Sequence, residues 1–226
     1  MNAVAFHPFD LVLPAWLAGL VQPASPEMPD HRTMSETDEI RELIASAIDG
    51  DERAFAELIR RHKARIVRLV ARFGRTPADL DELAQDVFIK AHRALHRYRH
   101  DAPFEHWLCR IATRCCQDYL RRLYRRRWFT SLDALRDAGF EPAPADSTDP
   151  RVETLRLALR RLPPDQQTVL TLFELEGHSV RDIAHFTGLS ESNVKVRAHR
   201  ARLALRAEFD LIARSETRAR PPHESA

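Results

Sequence analysis

The sequence predicts an all-α protein of two small helical domains joined by a flexible linker, and three observations carry that prediction. Glycine is scarce, at 6 in 226 residues, and Tyr stands at 3, while Leu, Ala, Arg and Glu abound; this composition favours helices over short strands and Gly-rich turns. Apolar residues recur at offsets of three and four along most of the chain from residue 35 onward. That period lapses between residues 128 and 149, in a stretch rich in Pro, Ala and Asp, so the helices fall into two groups. At 44% hydrophobic and 30% charged, the chain can bury two small cores and is too polar for a membrane protein.

Residues 1–34 match nothing downstream. Their apolar run, LVLPAWLAGLV, is too short to span a bilayer, contains Pro14 and is preceded by no Lys or Arg, so neither a membrane helix nor a secretory signal fits. The expectation is an extension outside the fold, or a start assigned upstream of Met34. From residue 35 the pattern sharpens. Ile40, Leu43, Ile44, Ala47 and Ile48 line one face of a first helix, with Ser35 and Asp38 spaced as a capping box. Asp51 caps a second helix with Phe55, Leu58, Ile59, Ile66, Leu69, Val70 and Phe73 as its buried stripe, and Gly74 as its stop. Thr76, Pro77 and Asp79 supply an N-cap, a first-position proline and an N3 carboxylate for a third helix that ends near Arg97.

Residues 98–103 (YRHDAP) break the pattern, and Pro103 restarts it for a fourth helix bearing Phe104, Trp107, Leu108, Ile111, Ala112, Cys115, Tyr119 and Leu123. The first domain thus spans residues 35–127 and the linker 128–149. The second domain, 150–212, holds one helix with Leu155, Ala158, Leu159 and Leu162, a second after Pro163 and Pro164 that Gly177 ends, and two more at 180–186 and 190–211. Residues 213–226 read as a disordered polar tail.

Within VRDIAHFTGLSESNVKVRAHRAR, three positions have the offsets a helix-turn-helix requires. Ala184 lets two helices approach, Gly188 supplies a positive-φ turn, and Val194 anchors the second helix in the core. With Ser190 as N-cap, Ala198, Ala201 and Leu205 then share the buried side with Val194. Ser192, Lys195, Val196, His199 and Arg200 take the opposite side, with Arg197 beside them, and are the candidates for duplex DNA. The net charge of +2 hides a second cationic feature, because Arg110, Arg114, Arg121, Arg122, Arg125, Arg126 and Arg127 crowd one helix opposed only by Asp118. That run exceeds what capping a helix dipole requires and points to a polyanion.

Two stretches together resemble the extracytoplasmic-function sigma factors, the compact bacterial initiation factors that pair with core RNA polymerase. DLDELAQDVFIKAHRALHRYRHDAPFEHWLCRIATRCCQDYLRR is similar to the family's region 2, and LRRLPPDQQTVLTLFELEGHSVRDIAHFTGLSESNVKVRAHRARLALR to its region 4. The likeness covers about residues 36–127 and 150–209. It implies a sigma region 2-like four-helix domain that melts and captures the −10 promoter element, and a sigma region 4-like helix-turn-helix domain that binds the −35 duplex. It also implies a polymerase contact on Leu83, Gln85, Asp86 and Phe88, and a −10 specificity loop across residues 99–103. Tyr98, Arg99, His100, Asp101, Trp107, Arg110, Arg114, Arg121 and Arg122 then become the −10 and melted-strand set, having the stacking surfaces and cations that an unpaired strand requires. Arg114 stands where many members carry Asn, and Glu191-Ser192-Asn193 replaces a more usual Gly-Thr pair, so the preferred bases do not transfer. The acidic linker is implied to run along polymerase where RNA later passes.

Bland alternatives stand beside these readings. His92, His96 and His100 are four residues apart, but the helix ends near Arg97 and no carboxylate or Cys completes a metal set, so a solvated face is the expectation. Cys109, Cys115 and Cys116 are odd in number and share one helix, which suits core thiols in a reducing cytoplasm better than disulfides, zinc or redox sensing. Core packing accounts for Trp107 as well as base stacking does. No phosphate-cradling Gly loop, HExxH, CxxC or nucleophile elbow occurs, so neither enzymatic activity nor a cofactor is expected. The expected partners are core RNA polymerase, promoter DNA and an anti-sigma protein, with no membrane insertion. The rival is a conventional helix-turn-helix regulator that binds an operator without polymerase.

Overall fold

The computed structural model describes residues 34–129 and 149–219, and all regular structure among them is helical. The readings for residues 1–33, for the linker at 130–148, for 220–226 and for the Ser35 cap side chain lie outside the described residues. The first module contains α1 (Met34–Ile48), α2 (Glu52–Ala71), α3 (Pro77–Ala94), a 3-10 turn (Leu95–Arg97) and α4 (Phe104–Phe129). The second contains α5 (Pro150–Arg161), α6 (Pro164–Leu170), which continues into a π turn (Thr171–Leu175), then α7 (Val180–Thr187) and α8 (Glu191–Ala219).

Short polar side chains set the helix starts. The Asp51 carboxylate accepts from the backbone N–H of Arg53 and Ala54 at 2.8 and 3.3 Å, satisfying donors that the first turn of α2 leaves open. Thr76 and Asp79 exchange hydrogen bonds in a full capping box, with Pro77 next in the chain where no N–H is required. α1 packs on α2, and α4 crosses both α2 and α3. Ile44, Leu58, Ile66, Val70, Leu83, Val87, Leu108 and Cys116 make the first module's core.

One result departs from a simple pair of domains. Val169, Leu172, Ile183, Phe186, Val194 and Ala198 of the second module belong to the same apolar cluster as the first module's core. α4 is the shared wall, with α2 and α3 against it and α6 and α7 packed on it as well. A smaller cluster of Ala158, Leu162, Leu170, Ala201, Leu205 and Ile212 holds α5 to α8. Periodicity identifies the buried face of a helix but not what covers it, which is why the continuity escapes the sequence.

α8 also runs to Ala219, beyond residue 212 where a disordered tail is expected to begin. Ile212 is buried and Phe209 packs beside it, so the helix is held from within well past the helix-turn-helix. The Ser215 hydroxyl donates to the Ile212 carbonyl at 2.7 Å, and no Gly or Pro interrupts the chain before Pro221.

Candidate nucleic-acid interface

The helix-turn-helix is built from α7 and the first turns of α8. Ser179 and Asp182 cap α7 reciprocally, the Asp182 N–H donating to Ser179 Oγ at 3.1 Å and the Ser179 N–H to Asp182 Oδ2 at 3.3 Å. Gly188 closes α7 in the left-handed conformation, φ +77°, with its N–H donating to the Ala184 carbonyl at 2.9 Å. The Asn193 N–H then donates to Ser190 Oγ at 3.3 Å to start α8. Val194, Ala198, Ala201 and Leu205 all face inward. Ser192, Lys195, Val196, His199 and Arg200 are exposed on the outer side, and Val196 keeps 49% of its surface open although it is apolar. Such a row of cations around one apolar contact suits a major groove, where phosphates fix position and base edges specify.

Arg197 behaves differently from its neighbours. It is half-buried, donating through Nε to Asn193 Oδ1 at 2.9 Å and through Nη1 to Asp165 Oδ2 at 2.6 Å.

The second candidate surface is the turn at residues 98–103 with α4. The Tyr98 hydroxyl donates to the Ala102 carbonyl at 2.6 Å, and its ring meets His100, Phe104 and Trp107 with centroids 4.5, 5.5 and 5.4 Å away. Trp107 stacks on Phe104 at 5.4 Å and 29° and is half-buried, so one face packs while the indole still reaches the surface. Arg99, His100 and Asp101 are exposed, and His100 is held at φ +60°, a region that non-glycine residues seldom occupy. Along α4, Arg114 is exposed, Arg121 pairs with Asp118 at 3.4 Å, and Arg122 lies 3.5 Å from Glu82. Arg110 is half-buried against α7. Its Nε is buried without a hydrogen-bond partner, and its charge adds to desolvation in lowering the His185 pKa.

The four residues expected to meet polymerase differ in exposure. Leu83 is 2% exposed and supports α3 from inside the core, because it shares the buried row with Val87 and Ala91 and cannot meet a partner. Phe88 is half-buried, Gln85 is exposed, and Asp86 accepts from Lys90 at 2.8 Å. Ile89 is 42% exposed one turn from Gln85, an apolar residue on the polar side of the α3 stripe.

Among the described residues, no group of three His, Cys, Asp or Glu is placed to hold a metal ion. His92 lies edge-on to Phe55, His96 accepts from Arg97 and His100 rests on Tyr98, so the three rings diverge. Burial pushes the Cys109 thiol up to about 12 and the Cys115 thiol up to about 11, and raises Cys116 too, which keeps all three protonated as core residues.

Sequence reading also missed a feature that needs both modules. Arg121, Tyr124 and Arg125 of α4 face Asn193, Val196, Arg197 and Arg200 of α8 across a cleft of about 480 Å³, with Asp165 of α6 on its floor. Tyr124, an aromatic within the arginine run, is the trace of this in the sequence.

Comparison with known proteins covers both modules. Residues 58–127 match the family profile Sigma-70 region 2, and residues 153–205 match Sigma-70, region 4. The ECF RNA polymerase sigma factor SigM of Mycobacterium tuberculosis is 35% identical over 167 residues, which is 73% of this chain and 81% of SigM. The ECF RNA polymerase sigma-E factor of Escherichia coli is 34% identical, over 76% of this chain and 95% of its own. Among solved structures, CnrH in complex with the cytosolic domain of CnrY is similar with a TM-score of 0.53 and 30% identity, across 77% of this chain and 99% of that one. Among the described residues, no helix is long and apolar enough to cross a membrane.

Proposed function

The chain belongs to the extracytoplasmic-function (ECF) RNA polymerase sigma factor family, and we propose that it binds core RNA polymerase and directs initiation by reading two promoter elements. The observation that carries this reading is the presence, on two modules of one chain, of two cationic surfaces of different build. One is a helix face with Ser192, Lys195, Val196, His199 and Arg200 outward, suited to the −35 duplex. The other combines the Tyr98, His100 and Trp107 rings with Arg99, Asp101, Arg110, Arg114, Arg121 and Arg122, suited to the −10 element once its bases unstack. Binding energy shared between polymerase and DNA does this work, as in a family of initiation factors without chemistry of their own. Gln85, Asp86 and Ile89 form the polymerase patch, with Phe88 beneath them.

The likeness to CnrH, solved with the cytosolic domain of CnrY, supports a further protein partner of the anti-sigma kind. Run-off transcription with purified core polymerase tests the function. Promoter-specific transcripts that appear only when this protein is added are expected. Tight operator binding by the protein alone, with no dependence on polymerase, would favour a conventional regulator and sink the proposal.

A further inference from the structure

Packing and charge together set the spacing of the cleft between α4 and α8. Phe186 of α7 is fully buried, with its ring edge-on to His106 of α4 at 5.8 Å. Glu176 has a side chain only 2% exposed and accepts from Arg65 Nη1 at 2.7 Å and from Arg72 Nε at 2.9 Å, both in the first module. The space left between the walls, about 480 Å³, falls within the range of small-molecule sites in proteins.

Four guanidinium groups line that space, from Arg121 and Arg125 of α4 and from Arg197 and Arg200 of α8, against the one carboxylate of Asp165, which leaves a net charge of +3. Asp165 serves two of the four, accepting from Arg121 at 3.2 Å and from Arg197 at 2.6 Å. Arg125 and Arg200 are exposed on opposite walls and, among the described residues, pair with no carboxylate. Cations that face each other across a cleft attract an anion between them, and a planar guanidinium matches the oxygens of a phosphate. Charge alone would serve any anion. Tyr124, half-buried, adds an aromatic ring to the α4 wall, and Val196 adds apolar surface opposite. A ring set among cations is what a base attached to phosphates requires. Gln166 lines the same space, and its Oε1 is buried without a hydrogen-bond partner among the described residues, an acceptor that gains by turning towards the N–H of a base.

We propose that the cleft binds a free nucleotide carrying a di- or triphosphate. The charge sets the number of phosphates: a nucleoside diphosphate carries about −3 at neutral pH, the complement of four arginines less one carboxylate. The base lies on Tyr124 with Val196 across from it, and the phosphates bridge Arg125 and Arg200. The site requires only the two packed walls and does not depend on the promoter-reading function.

Isothermal titration calorimetry of the full chain with ADP, UDP and pyrophosphate, in magnesium-free buffer at fixed ionic strength, tests the site. At least one of the two nucleotides should bind about tenfold or more tighter than pyrophosphate. Tyr124→Leu keeps apolar bulk and loses the ring, and should remove that advantage while leaving pyrophosphate binding unchanged; Tyr124→Phe should keep it. Arg125→Ala, at an exposed position, should weaken nucleotide and pyrophosphate alike by about tenfold. Circular dichroism verifies that each variant folds. Equal affinities for nucleotide and pyrophosphate would reduce the cleft to a general anion patch and overturn the proposal. So would the absence of binding by both nucleotides, or binding that either Tyr124→Leu or Arg125→Ala leaves unchanged. A single-stranded tetranucleotide without a terminal phosphate separates a free ligand from a strand. It should bind more weakly than the better nucleotide, and tighter binding that is lost in Tyr124→Leu would overturn the assignment to a free nucleotide. Run-off transcription tests the promoter function separately, so either reading can fail while the other holds.

Discussion

At Gly188 the backbone stands at φ +77°, where a side chain meets its own carbonyl, and an added Cβ there would find nothing else within 4 Å. Gly188→Ala therefore isolates backbone strain from packing. It should cost about 1–2 kcal/mol in urea unfolding, and Gly188→Asn less, because Asn tolerates the left-handed region. Equal losses from both would show that sterics beyond the backbone matter. His178 offers a test of a different kind. Its Nε2 accepts from Arg65 at 3.0 Å, which requires the neutral ring. Burial lowers its pKa to about 4, with Arg65 adding to the drop and Glu176 and Asp182 opposing it. Above about pH 6.5 the ring is neutral both folded and unfolded, and contributes nothing to pH dependence. As pH falls from 6.5 towards 4, the unfolded chain takes up a proton that the folded chain refuses, so stability drops, by at most about 1.4 kcal/mol per unit. Denaturation midpoints between pH 7.5 and 4.5 should therefore fall more steeply for the wild type than for His178→Asn; parallel curves would mean that His178 plays no part in the acid sensitivity.

For α8 as an element, the proposed function assigns stability to one side and recognition to the other. Lys195 and Arg200 are exposed. Lys195→Ala with Arg200→Ala should change folding stability by no more than about 0.5 kcal/mol each. The pair should also weaken binding to a −35 duplex and flatten the slope of log affinity against log salt by about 1 for each phosphate that is no longer neutralised. Unchanged affinity in gel-shift titrations at several salt concentrations would move the −35 interface elsewhere. The turn is legible in the sequence because Ala184, Gly188 and Val194 are each demanded by its backbone geometry, and which residues of α8 lie outward follows from their spacing. The capped starts at Asp51 and Thr76 were legible for the same local reason. The burial of Leu83 is not legible in the family likeness, which carries a function to a position without showing which way the side chain points. The ion pair of Arg197 is not legible, because nothing local announces Asp165, 32 residues away in sequence and 2.6 Å away in space.

Over the whole molecule, the shared apolar cluster changes what stability means for this chain. Two helical domains on a linker should unfold separately, yet Phe186, Ile183 and Leu172 close a core to which Leu108, Ala112 and Cys116 of the other module also belong. Fully burying one large apolar side chain contributes about 1.5–3 kcal/mol, comparable to a sizeable share of a small domain's stability. The ion pairs at Glu176 are worth less as adhesive, because desolvating the carboxylate offsets much of the attraction, but they fix which faces meet. Packing thus supplies the strength of the contact and charge its register. Scanning calorimetry of the wild type should accordingly show one cooperative transition whose van't Hoff and calorimetric enthalpies agree. Phe186→Ala removes the ring at the junction, where truncation of a buried Phe costs about 3–5 kcal/mol, and should split the trace into two transitions. The earlier transition belongs to the helix-turn-helix module, whose core outside the shared cluster is the smaller one of Ala158, Leu162, Leu170, Ala201, Leu205 and Ile212. Arg72→Glu should loosen the same junction through charge alone and move the wild-type trace in the same direction, by less. A single transition in Phe186→Ala, merely lowered in temperature, would mean that the cooperativity lies within the modules and that their packing against each other contributes little to it.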